Sequence, residues 1–146
     1  MKTSQQFTRD EIVEKLQLIN SWLEGIKIDF IVLGGSVAKN TNQWWSDIDL
    51  FISLPNFNTL SASDFMKLYE KANYEILKHS KLENIEITVI QTLPIRVKFD
   101  VIKHGILLHE NVEGIYSKFK YDTMKEYYDY KIWIDSYYEK VSGTYD

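Results

Sequence analysis

The sequence predicts an α/β or α+β fold: a small mixed β-sheet flanked by helices. Three observations carry that reading. Apolar residues recur at helical spacing near the start and in the middle of the chain, and short β-branched runs such as "FIVLGG" and "DIDLFISL" lie between them. The two patterns also alternate, in the order αβαβαββα, rather than falling into separate blocks.

Residues 8–25 predict the first helix. Thr8 followed by Glu11 is a capping-box pair, Ile12, Val13, Leu16, Ile19 and Leu23 form one stripe, and Gly25 is the stop. "KIDFIVLGG" reads as a buried strand over 28–33, with Asp29 a polar residue at its start and a turn and short helix from Ser36. A second strand spans 47–54 and ends at Pro55. Ser61 is the expected N-cap of a helix over 62–78, carrying Phe65, Leu68, Tyr69, Ala72 and Ile76 inward. "IEITVIQ" and "IRVKFDVIK" read as two strands of a hairpin turning at Thr92 to Pro94, and "GILLHE" fits either a strand or a turn. An aromatic helix over about 115–142 closes the chain.

At 146 residues, residues 1–146 are read as a single domain, and 45% hydrophobic with 26% charged residues is a soluble, globular composition. A net charge of −4 makes direct nucleic-acid binding an unsuitable main task. No apolar run is long enough to cross a bilayer and the polar start lacks a signal-peptide core, so the expected location is cytoplasmic with no membrane contact. The absence of cysteine excludes disulfides and thiolate metal sites. His79, His104 and His109 have no metal-ligand spacing.

The chemistry is concentrated in "GGSVAKNTNQWWSDIDL", residues 34–50. Asp47 and Asp49 fall on one face of a strand, about 6 to 7 Å apart along the backbone, while Ile48 and Leu50 point into the core. At such separations two like charges repel by roughly 3 kcal/mol at an effective dielectric near 20. Mg²⁺ removes that repulsion and leaves positions for phosphate. Gly35 and Ser36, after a strand and before a helix, offer backbone N–H groups and a hydroxyl to an anion such as a triphosphate. On the predicted strand 95–103, Asp100 is the candidate third carboxylate, giving a triad able to carry two Mg²⁺ ions for attack of a hydroxyl on an α-phosphate. Trp44 and Trp45 are placed at the mouth of the site, to stack on a base, touch a partner or cap the core.

The Gly-Ser pair, ten residues and Asp-x-Asp in "GGSVAKNTNQWWSDIDLFI" closely resemble the signature of the DNA polymerase β-like nucleotidyltransferase superfamily. The short chain resembles its minimal nucleotidyltransferases, which include the MntA-type antitoxins encoded beside HEPN-domain ribonuclease toxins. That resemblance implies a nucleotidyltransferase fold and transfer of AMP from ATP to a tyrosine of a HEPN toxin. By motif position Gly35, Ser36 and Lys39 hold the nucleotide, and Asp47, Asp49 and Asp100 are the catalytic and metal-binding residues. Where the family often continues Ala-Arg-Gly, this chain has Ala38, Lys39 and Asn40. Asn tolerates the left-handed turn, and Lys keeps the charge without the arginine fork.

Two other readings stand beside it: an antitoxin that neutralises its partner by covering it without catalysis, and nucleotide transfer to a small molecule. Eight of the ten tyrosines follow residue 115. Tyr127, Tyr130, Ile134 and Tyr137 make one stripe of the last helix, and Tyr128, Trp133 and Tyr138 fall outside it. Aromatics on more than one side make this helix a candidate surface for homo- or hetero-oligomer formation.

Overall fold

The computed structural model describes residues 7–43 and 46–145. In chain order the elements are α1 (Arg9–Lys15), α2 (Ile19–Trp22), β1 (Phe30–Gly34), α3 (Gly35–Ala38), β2 (Ile48–Ser53), α4 (Ala62–Ser80), β3 (Ile85–Val89), α5 (Ile95–His104), β4 (Ile106–Glu110) and α6 (Ile115–Tyr145). The four strands form one mixed sheet in the order β3-β2-β1-β4. β1 runs antiparallel to β2 and β4, and β2 runs parallel to β3. A parallel pair needs a crossover, and α4 supplies it.

All five residues of β1 are buried, because helices cover both faces of the sheet. Ile31 and Leu33 pack with Ile12, Leu16, Ile19 and Ile76 on one side. Phe30 and Val32 pack with Val101, Ile102 and Tyr116 on the other. Burial of this kind stabilises by about 25 cal/mol per Å² of apolar surface removed from water.

The N-terminal helix has the predicted inner stripe but not the predicted continuity. Ile12, Leu16, Ile19 and Leu23 are all buried, yet the helix breaks between α1 and α2. The capping box is present: the Thr8 hydroxyl accepts from the Glu11 N–H at 3.2 Å, and the Glu11 carboxylate accepts from the Thr8 N–H at 3.4 Å. Gly25, at φ +85°, makes the expected turn before β1. Ser61 caps α4 by accepting from the Asp64 N–H at 3.1 Å.

The predicted hairpin is corrected. Ile85–Val89 is a strand, but Ile95–His104 is a helix, and the fourth strand is instead Ile106–Glu110. The alternation of Val97, Phe99 and Val101 is coincidental: Val97 is exposed while the adjacent Val101 and Ile102 are both buried, a pattern only a helix produces. Pro94 at the N-cap, basic residues in the last turn and Gly105 at the C-cap mark both ends of that helix. Asp100 therefore does not lie on a strand.

The last helix is found where the aromatic tail predicts it. Its 31 residues make it about 46 Å long.

Candidate functional site

One row across the sheet brings the chemistry together. β1 and β2 pair Gly34 with Asp49, and β2 and β3 pair Asp49 with Glu86. Residues paired across neighbouring strands share a face, so the end of the glycine strand and two carboxylates stand side by side. Asp47, two residues before Asp49, is exposed at the same end. Ile48 and Leu50 are fully buried, which anchors the acidic pair outward as the sequence predicts.

Both glycines of the turn are required by close contacts. A Cβ on Gly34 would lie 2.5 Å from the Phe51 ring. Gly35 has φ +63°, and a Cβ there would fall on the Asp49 carboxylate, 3.0 Å from its Cγ. Gly35→Ala is thus expected to keep the fold, by far-ultraviolet circular dichroism, and to lose at least about tenfold in nucleotide affinity by calorimetry.

After the glycines, α3 makes one turn and the chain leaves it through Asn40 at φ +60°. The left-handed turn expected at this position is present. The Ser36 carbonyl accepts from the Thr41 N–H at 2.9 Å, and Arg9 reaches the Ala38 carbonyl at 3.4 Å, tying the loop to α1. Trp44 and Trp45 lie outside the described residues.

Burial, then the charge of Glu86, then that of Asp47, push the Asp49 carboxyl up to about 6. Two neighbouring acids and partial desolvation make a second negative charge there costly. Asp49 thus sits where a divalent cation relieves repulsion. Among the described residues, no three His, Cys, Asp or Glu side chains stand close enough to hold an ion as they are. The donor set nevertheless fits Mg²⁺: hard carboxylate oxygens on one face, next to a turn whose missing Cβ leaves space against Asp49.

Asp100 stands on a helix rather than on a strand of the sheet. From α5 its carboxylate accepts two hydrogen bonds from Lys39 Nζ, at 2.9 and 3.2 Å, with His104 Nε2 at 3.9 Å. The third carboxylate facing Asp49 is Glu86, which the sequence reading did not select. Its signal was available: "NIEITVI" places an acid between two isoleucines at the start of a strand, as "SDIDLFI" places Asp49 between Ile48 and Leu50.

A glycine turn beside a row of carboxylates, on a mixed sheet with a βαβ crossover, is the arrangement of a nucleotidyltransferase fold. The chain belongs to the Polymerase beta nucleotidyltransferase family, whose pattern matches residues 16–114. No curated protein matches it.

Among solved structures, a chain of a toxin–antitoxin complex with AMP-PNP superposes with a TM-score of 0.62 at 18% identity, over 86% of this chain and 97% of that one. A chain from the complex of tri-AMPylated Shewanella oneidensis HEPN toxin with MNT antitoxin superposes with a TM-score of 0.57 at 17% identity, over 88% and 96%. A chain of the MntA–HepT toxin–antitoxin complex gives 0.57 and 17%, over 88% and 97%. At these identities the likeness establishes the fold. Among the described residues, no helix is long and apolar enough to cross a membrane.

Proposed function

We propose that residues 1–146 form one minimal nucleotidyltransferase domain, a cytoplasmic antitoxin that transfers AMP from ATP to a tyrosine of a HEPN-type toxin. The observation that carries this reading is the row Gly34, Asp49 and Glu86 across three strands. Family membership supports nucleotidyl transfer, and the fold is shared with chains from toxin–antitoxin complexes, one with AMP-PNP and one with an AMPylated toxin.

In this reading Gly35, Ser36 and Lys39 receive the triphosphate, and Asp47, Asp49 and Glu86 hold two Mg²⁺ ions. Glu86 takes the third position in place of Asp100. Bound Mg²⁺ supplies charge neutralisation at the α-phosphate and on the leaving group. The tyrosine oxygen attacks the α-phosphorus, the new O–P bond forms, the bond to the β-phosphate oxygen breaks, and pyrophosphate leaves. Glu86, exposed at the mouth of the row, accepts the phenolic proton.

The test is intact mass spectrometry of a HEPN-type protein, chosen as one encoded beside this chain, mixed with this chain, ATP and Mg²⁺. A gain of one or more AMP units, lost with Asp47→Asn, is the expected result. An unchanged mass with a stable complex would transfer the reading to the non-catalytic antitoxin. One observation favours that second reading: Lys39, the predicted phosphate ligand, is engaged by Asp100.

A further inference from the structure

Helix α6 is packed on one side only. Tyr116 and Thr123 are buried, and the Tyr127 ring stacks on Phe99 at 3.8 Å, so this stripe faces the body of the protein. On the other side of the helix lies a second stripe, Tyr121, Lys125, Tyr128, Ile132, Asp135 and Glu139, spaced 4, 3, 4, 3 and 4 residues apart. That is the spacing of a coiled-coil seam. It spans about 27 Å of helix. Its apolar members are open: Tyr121 and Ile132 are each 67% exposed, and Tyr128 is 48% exposed although its ring leans edge-on toward Phe99 at 5.9 Å.

We propose that this outward stripe is a docking surface for a second copy of the same chain, with the two α6 helices antiparallel. The charge pattern selects that occupant and direction. In an antiparallel seam each residue meets the one for which the two numbers sum to 260. Tyr128 then packs on Ile132 of the other copy at the centre, Lys125 meets Asp135, and the Tyr121 hydroxyl donates to Glu139, each pair occurring twice. A parallel pair would instead set Lys125, Asp135 and Glu139 each against its own copy. On the outer flanks of the antiparallel pair Lys131 and Asp129 face their own copies, at solvent-exposed edges where salt screens the repulsion. The seam leaves the carboxylate row untouched, so it is independent of the proposed reaction.

The test is sedimentation velocity of the full chain from about 1 to 100 µM. A monomer–dimer equilibrium is expected, with Ile132→Glu monomeric throughout at unchanged helix content. Lys125→Glu alone and Asp135→Lys alone are each expected to weaken the dimer by roughly tenfold, because each replaces two attractions by two repulsions. An equimolar mixture of the two variants is expected to recover dimer, since both charge pairs become complementary again. A chain that stays monomeric over the whole range overturns the proposal. So does a dimer that the single variants leave unchanged or that mixing does not restore.

Discussion

Glu86→Gln is expected to lower the rate of AMP transfer by about 100-fold or more, whereas Asp100→Asn retains it within roughly tenfold. The ranking follows from position. Glu86 is paired in register with Asp49, and its charge is felt there strongly enough to help raise the Asp49 carboxyl to about 6. The isosteric amide removes one negative charge from the row and one proton acceptor from its mouth, with little change in volume. Asp100 lies on α5, where its carboxylate is paired with Lys39 at 2.9 Å and has His104 at 3.9 Å. Removing its charge frees that ammonium for phosphate, so the expected change is in the KM for ATP rather than in kcat. Single-turnover kinetics of both variants, with folding checked by circular dichroism, decides the matter. A Glu86→Gln enzyme of near-normal rate beside an inactive Asp100→Asn enzyme would restore Asp100 to the site.

The three carboxylates of the row were not equally legible in the sequence, for a physical reason. Asp47 and Asp49 follow the Gly-Ser pair of α3 by a fixed spacing, so a local motif contains them. The third acid arrives from a strand after the α4 crossover, and which strand it is depends on pairing rather than on local pattern. The run "IRVKFDVIK" has apolar residues compatible with both periods, and its alternation concealed a helix bracketed by Pro94 and Gly105. Burial settles the period: neighbours Val101 and Ile102 are both inside, and Val97 is outside. The N-cap at Ser61, the turn at Asn40 and the outward placement of the acidic pair depend only on nearby residues, and these were all legible. The break between α1 and α2 was not, because the stripe Ile12, Leu16, Ile19 and Leu23 stays buried on either side of it.

The thermal stability of the metal-free protein is expected to carry the signature of Asp49. Its carboxyl is raised from 3.8 to about 6 in the folded chain, so between those values the folded state holds more protons than the unfolded one. The favourable contribution of that proton is fully present below the lower value and is lost as the pH rises through about 6. Asp49→Asn lacks the titration and removes the repulsion with Glu86 and Asp47. Its Tm without divalent cation should therefore exceed that of the parent by a few degrees at pH 7.5, roughly 3 °C, and by much less at pH 4.5. Mg²⁺ should show the opposite dependence. A dication competes with the proton for the same carboxylate, so millimolar Mg²⁺ should raise the parent's Tm at pH 7.5, have little effect at pH 4.5, and have little effect on Asp49→Asn at either pH. Scanning calorimetry with EDTA or Mg²⁺ at both pH values tests both statements on the protein alone, without ATP or acceptor. Equal Mg²⁺ gains in the parent and the variant would place the cation elsewhere. A variant no more stable than the parent at pH 7.5 would show that the row carries no repulsion for a cation to relieve. The expected pattern would explain why a fold of this size keeps three acids on one edge: their mutual repulsion lowers the stability of the empty protein and is recovered when the cation binds.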